Sequence, residues 1–179
     1  MLKATSEFAY SAAFLCATVG AVYDVRSRRV PNFVTFPAIL LGLLLHLVFG
    51  GWSQLGSSFS AGLICGVVFL VFHLSGGMGA GDVKLITAVG CIAGLPHIGY
   101  LLILTALSGG IMAIGLAVSS RRFKETIANI GALAVHHRTA GLTPHPELNA
   151  GNARTLRLPY AVAIAVGSAL SLCLVVVQG

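Results

Sequence analysis

Apolar residues run along this chain in long blocks separated by short polar or glycine-rich joints. A helix that crosses a bilayer needs about 20 mainly apolar residues. By that measure the blocks predict six spans, roughly 6–24, 32–50, 58–75, 82–95, 98–118 and 158–177. The fourth is short and is expected to begin inside the glycine-dense stretch Gly76-Gly77-Met78-Gly79-Ala80-Gly81. Pro31 falls where a first helical turn tolerates a missing N–H, Pro96 falls between the fourth and fifth blocks, and Pro159 opens the last. Gly62-x-x-x-Gly66 and Gly90-x-x-x-Gly94 allow close helix approach, although such spacing is common in membrane helices.

Composition agrees with the pattern. Of 179 residues, 56% are hydrophobic and only 9% charged, and the mean hydropathy is +0.92, which leaves too little polar surface to clothe a soluble globule. The fold expected is all-α, a polytopic membrane protein with one integral membrane domain over 1–179. The net charge of +6 does not point to nucleic acid, because no compact basic domain is left to bind one, and basic residues in such a chain first report orientation. Arg26, Arg28 and Arg29 follow the first block, Lys84 follows the third, and Arg121, Arg122, Lys124, Arg138, Arg154 and Arg157 follow the fifth. The joints 51–57 and 96–97 carry no Lys or Arg, and Lys3 is the exception to the alternation. This asymmetry predicts that both termini are extracytoplasmic and that the three basic connections are cytoplasmic. Lys3 and the apolar run from Phe8 resemble a signal peptide, but the larger positive charge after that run favours an anchor that stays in place. The segment 119–157 is the one sizeable extramembrane piece. Its first part, with Phe123, Ile127, Ile130 and Ala134 at helical spacing, is expected to form an interfacial helix. His136 to Asn152 reads as irregular loop.

Several chemistries are excluded. Cys16, Cys65, Cys91 and Cys173 all sit in apolar blocks without a C-x-x-C pair, which makes them packing thiols rather than disulfide or zinc ligands. His136, His137 and His145 share one loop but have no acidic or cysteine partner at ligand spacing, so no metal or other cofactor is expected. His46, His73 and His97 read as polar contacts near helix ends. Gly76-x-x-x-x-Gly81 is followed by Asp82 and Val83 where a phosphate loop needs Lys and then Ser or Thr.

The chain has only two aspartates, Asp24 and Asp82. Asp24 ends the first block and Asp82 begins the fourth, with two crossings between them, so both return to the same face. An acid at this depth is costly unless it is paired, wetted or functional. Two close carboxyls share one proton. Such a pair suits peptide hydrolysis, one member taking a proton from water while the other polarises the scissile carbonyl. A plainer reading makes Asp24 a polar helix end paired with Arg26 or Arg28. Gly79 and Gly81 either permit backbone conformations closed to other residues and let an extended substrate approach, or simply build a tight loop. Lys84 either tunes Asp82 or snorkels to the interface. A proton-coupled carrier using both aspartates is the alternative from another class, although a relay ordinarily crosses the bilayer.

Asp24-Val-Arg-Ser-Arg-Arg-Val-Pro31-Asn32, then Gly-Met-Gly79-Ala-Gly81-Asp82-Val-Lys84-Leu, then Leu-Pro159-Tyr160-Ala resemble, in order, the three signature stretches of the type IV prepilin peptidases, membrane aspartic proteases of the G-x-G-D class. The resemblance implies Asp24 and Asp82 as the catalytic pair, with Gly79, Gly81, Lys84, Arg26, Pro31 and Asn32 as supporting or substrate-binding positions. It also implies a prepilin or pseudopilin substrate, cut after its short basic leader at the cytoplasmic face of the inner membrane. The chain lacks the inserted cytoplasmic domain with paired C-x-x-C motifs found in larger bifunctional members. It therefore looks more like the peptidase-only enzymes of tight-adherence (Flp) pilus systems, with archaeal preflagellin peptidases the other compact form, and N-methylation is not implied.

Overall fold

The structure, a computed structural model, describes residues 2–146, 148 and 158–178, with side chains described between residues 7 and 177. Six helices and no strands are found among the described residues: α1 (Leu2–Ser27), α2 (Asn32–Leu74), α3 (Ala80–Ala93), α4 (Ile98–Ser119), α5 (Phe123–Ala140) and α6 (Tyr160–Gln178). Four of them, α1, α2, α4 and α6, contain stretches long and apolar enough to cross a bilayer.

The second and third predicted blocks correspond to α2, and the expected connection 51–57 is not a loop. Residues 52–57 are helical, and the helical backbone is interrupted at the single residue Gly51, with φ 67° and ψ −162°. Only a residue without a Cβ adopts that conformation at low cost, which is why one glycine suffices. A straight helix of 43 residues would run for about 65 Å. Instead both arms lie along α3. On the first arm, Asn32 meets Lys84 and His46 Nε2 donates to the Ile92 carbonyl at 3.0 Å. On the second arm, Ser58 Oγ donates to the Cys91 carbonyl at 2.6 Å, while Gly66 lies against Thr87. Numbers rise together on the first arm and in opposite senses on the second, so the chain reverses at Gly51 and α3 sits between the arms.

Helix α3 is the centre of the bundle, with nine of its 14 residues buried. Gly79 caps its start with extended backbone, and Gly94, at φ 75°, ends it by donating to the Gly90 carbonyl at 2.9 Å. Small residues let the arms approach: a methyl group added at Gly90 would lie 2.9 Å from Cys65 Sγ and 3.0 Å from the Ala61 carbonyl oxygen. On the α1 side, Leu85 fills the space over Gly20. Helix α6 packs between α1 and α4, with Gly167 against the Thr105 backbone. Tyr10 Oη donates to the Pro96 carbonyl, tying α1 to the α3–α4 joint.

The outer surface is strongly apolar. Val48, Phe49 and Trp52 are 74%, 73% and 81% exposed, which water would penalise and acyl chains would not. Other differences from the sequence reading are local. The fourth block forms a helix at Ala80–Ala93 rather than 82–95. Pro31 occupies the N-cap of α2, just before its first turn. The helix expected after residue 119 runs on through His136 to Ala140, so the irregular segment begins at Gly141. Most of that segment, including Arg154, Arg157 and Asn152, lies outside the described residues.

An Ala at Gly42 tests the packing. Its Cβ would lie 2.9 Å from the Cys91 carbonyl carbon and the Ile92 amide nitrogen, backbone atoms that cannot swing away. Thermal unfolding in detergent should show Gly42→Ala destabilised by about 1–3 kcal/mol. Gly56→Ala, where nothing lies within 4 Å, should remain within about 1 kcal/mol of the parent and on its stable side.

Candidate active site

Asp24 lies in the last turn of α1 and Asp82 in the first turn of α3. Both line one cleft of about 250 Å³, together with Arg28, Arg29, Val30, Gly79, Ala80, Gly81 and Lys84. The two aspartates of the chain thus share one site at one end of the bundle.

Asp82 is 8% exposed, and its Oδ1 has no hydrogen-bond partner among the described residues. The backbone amides of Gly79 and Ala161 lie beside its carboxylate. Its place in the first turn also sets it against the positive end of the α3 dipole. Asp24 is half-buried. Among the described residues neither aspartate forms an ion pair, so the pairing of Asp24 with Arg26 or Arg28 is not found. Instead Arg28 takes φ 53°, ending α1, and Arg28 and Arg29 come to line the cleft.

The glycines act through space rather than through special dihedrals. Gly79 has φ −78° and ψ 151°, open to any residue, and Gly81 lies inside α3. Neither has positive φ, which corrects the expectation of conformations closed to other residues. The residue of the loop that needs glycine for its dihedral is Gly76, at φ 81°. At Gly81, an added Cβ would stand 3.3 Å from Val30 N and Cβ, and at Gly79 it would stand 3.4 Å from Asp82 Oδ2. Bare backbone therefore forms the wall beside the carboxylate. His73 Nδ1 donates to the Met78 carbonyl at 2.9 Å and pins the loop to the end of α2, as expected of a histidine near a helix end.

The supporting positions separate. Lys84 lines the cleft, donates from Nζ to Asn32 Oδ1 at 2.9 Å, and lies 5.9 Å from the Phe36 ring centroid. Asn32 thereby holds a cleft residue without lining the cleft. Pro31 caps α2, and Arg26 points to a separate groove bounded by Thr18, Ala21, Val22, Val25 and Val162. Sequence reasoning did not single out Arg29, Val30, Ala80 or the Ala161 amide for the site. Backbone donors leave no residue-type signal, and Arg29 was legible only as topological charge. His136, His137 and His145 do cluster, with ring centroids 5.5 and 4.9 Å apart, but no group of three His, Cys, Asp or Glu among the described residues is arranged to hold a metal.

The sequence has relatives. Residues 11–114, which include both aspartates, match the model of the type IV leader peptidase family, and the chain belongs to that family. It is 31% identical over 107 residues to the prepilin peptidase EppA of Methanocaldococcus jannaschii, an overlap covering 56% of this chain and 30% of that protein. The prepilin leader peptidase/N-methyltransferase of Neisseria gonorrhoeae is 34% identical over 107 residues, covering 55% and 37%. That of Escherichia coli K12 is 31% identical over 115 residues, covering 60% and 51%. The matches therefore span between about a third and a half of the length of these curated relatives. No solved structure matches the chain.

The Asn32–Lys84 contact is open to a double-mutant cycle. Asn32→Ala and Lys84→Met should each destabilise the bundle modestly, and the double variant should lose less than the sum, with a coupling of about 0.5–1 kcal/mol in denaturation measurements. Strict additivity would mean the bond contributes nothing.

Proposed function

We propose that the protein is a membrane-embedded aspartic endopeptidase that removes the short basic leader from type IV prepilin or pseudopilin precursors at the cytoplasmic face of the inner membrane. The observation that carries this reading is the shared cleft of Asp24 and Asp82. Family membership supports the substrate class. In this account the chain crosses the bilayer six times, with the two arms of α2 as separate crossings and α3 as the short one, and both termini are extracytoplasmic. The basic residues near the cleft then lie on the cytoplasmic side, following the distribution of Lys and Arg.

The reaction needs no covalent intermediate. The ionised aspartate takes a proton from a water held between the two carboxyls, and that water attacks the scissile carbonyl carbon. The protonated partner donates to the carbonyl oxygen as the tetrahedral species forms. As the C–N bond breaks, the carboxyl that took the water's proton gives it to the departing amine while the other recovers a proton from a hydroxyl of the tetrahedral species, so the pair again holds one proton. Asp82 Oδ1 is buried and without a hydrogen-bond partner among the described residues, so its accepting capacity is unspent, and the bare wall at Gly79 and Gly81 leaves room for an extended backbone. A cleft at the bundle's end favours scissile bonds anchored beside the bilayer. A carrier using the same acids as a relay would place them at different depths, whereas here they line one cleft.

Co-expression with a prepilin precursor tests the proposal. Asp24→Asn and Asp82→Asn should each abolish leader removal, by at least about 10³-fold, while the protein still accumulates in membranes. Cleavage that survives both changes together would falsify it. The pH profile is a second test. Acid protonates the base and alkali deprotonates the acid, so the rate should fall on both sides, with two apparent pKa values that belong to the pair. A flat rate between about pH 4 and 9 contradicts the shared-proton mechanism.

A further inference from the structure

Among the described residues, helix α5 is the one helix with no buried residue, and, like α3, it is not among the helices long and apolar enough to cross a bilayer. Yet it is not uniformly polar. Phe123, Ile127, Ile130 and Ala134 fall at i, i+4, i+7 and i+11, one face of a helix. Phe123, Ile127 and Ile130 are 44%, 55% and 62% exposed. Lys124 and Arg138 border that stripe, and Arg121 and Arg122 immediately precede it. The only acid within the helix is Glu125, 3.8 Å from Arg122.

Two further observations say what covers the stripe. First, α4, a helix able to cross a bilayer, ends at Ser119, with only three residues between it and the start of α5. Arg121 at φ 55° turns the chain there, its amide bonding the Val118 carbonyl and that of Arg122 the Ala117 carbonyl, both at 3.0 Å. This closed αL turn stops α4 and redirects the chain at the point where it leaves the apolar layer. Second, the chain after α5 folds back onto the face opposite the stripe. His136, on that opposite face, bonds the Thr143 carbonyl at 3.1 Å and stacks edge-on to His145. Among the described residues the returning segment leaves the apolar stripe uncovered.

We infer that α5 docks lengthwise on an anionic lipid surface, with Phe123, Ile127 and Ile130 among the upper acyl chains and Arg121, Arg122, Lys124 and Arg138 at the headgroups. The charge complementarity and the short tether to α4 select this occupant: α5 begins beside a lipid surface, and its apolar face is rimmed with cations. The inference stands whether or not the cleft hydrolyses peptides.

Trp52 is the only tryptophan, so a Trp52→Phe background leaves the 179-residue chain without tryptophan emission until a single reporter is added. In nanodiscs of phosphatidylcholine with and without phosphatidylglycerol, Ile130→Trp should emit at short wavelength and lose most of its fluorescence to lipids brominated near the headgroup end of the acyl chain. Ala132→Trp, on the opposite face, should stay unquenched. Amide exchange over 123–140 should slow when phosphatidylglycerol is added, and replacing Arg121, Lys124 and Arg138 with Ser should abolish that slowing. If Ile130→Trp folds poorly, Ile127→Trp reports the same face. A reporter quenched in neither position, quenched equally in both, or shielded only as protein concentration rises would overturn the inference, the last outcome pointing to a second copy instead.

Discussion

The constraint this fold has to meet is a carboxylate buried at the edge of an apolar bundle. Asp82 is almost fully buried, and one of its oxygens has no partner among the described residues. Desolvating such a group costs free energy that the surroundings must offset. The offset comes from backbone: the first turn of α3, the amides beside the carboxylate from Gly79 and Ala161, and a loop made of bare main chain. None of these survives unless α3 itself is fixed. The helical hairpin of α2 fixes it, closing on both sides of α3 through Gly42, Gly62, Gly66 and Gly90. The small residues in the middle of the bundle are therefore the reason the acid at its end is held in place.

Asp24 reaches the same cleft by a different route. Gly20 accepts Leu85 of α3, which sets the height of α1 against α3 and brings the last turn of α1 level with the first turn of α3. The left-handed turn at Arg28 then carries the chain across the cleft mouth, so that Arg28 and Arg29 join Lys84 around two acids with which none of them forms an ion pair. Among the described residues, neither carboxyl is committed to an ion pair.

Much of this was legible in the sequence because membrane proteins write their packing in long apolar blocks. The positions of Asp24 and Asp82 at block ends, two crossings apart, already implied a common face, and the shared cleft agrees with that. What escaped has physical reasons. A reversal at Gly51 uses one dihedral, and nothing in residue type marked that glycine out from Gly50 or Gly56. Of the roles the sequence leaves open for Gly79 and Gly81, dihedral freedom does not hold, and the contacts of Val30 and Asp82 leave clearance. The Ala161 amide belongs to the main chain and has no residue signature. Charge reports topology first, which hides Arg29 as a wall of the site, while Arg28 is legible only as a partner for Asp24. His136 to Ala140 looked irregular because its polar residues mask a helix that Phe123 and Ile127 begin.

The central claim is that Asp24 and Asp82 face one another across a single water-accessible cleft in the membrane-bound protein. Cysteines at both positions, in a background where Cys16, Cys65, Cys91 and Cys173 are replaced by Ala or Ser, measure this directly through the shortest bifunctional methanethiosulfonate cross-linker. The account predicts rapid intramolecular cross-linking in intact membranes, abolished when either cysteine is omitted. Efficient labelling of each cysteine alone, with no cross-link between the two, would contradict it.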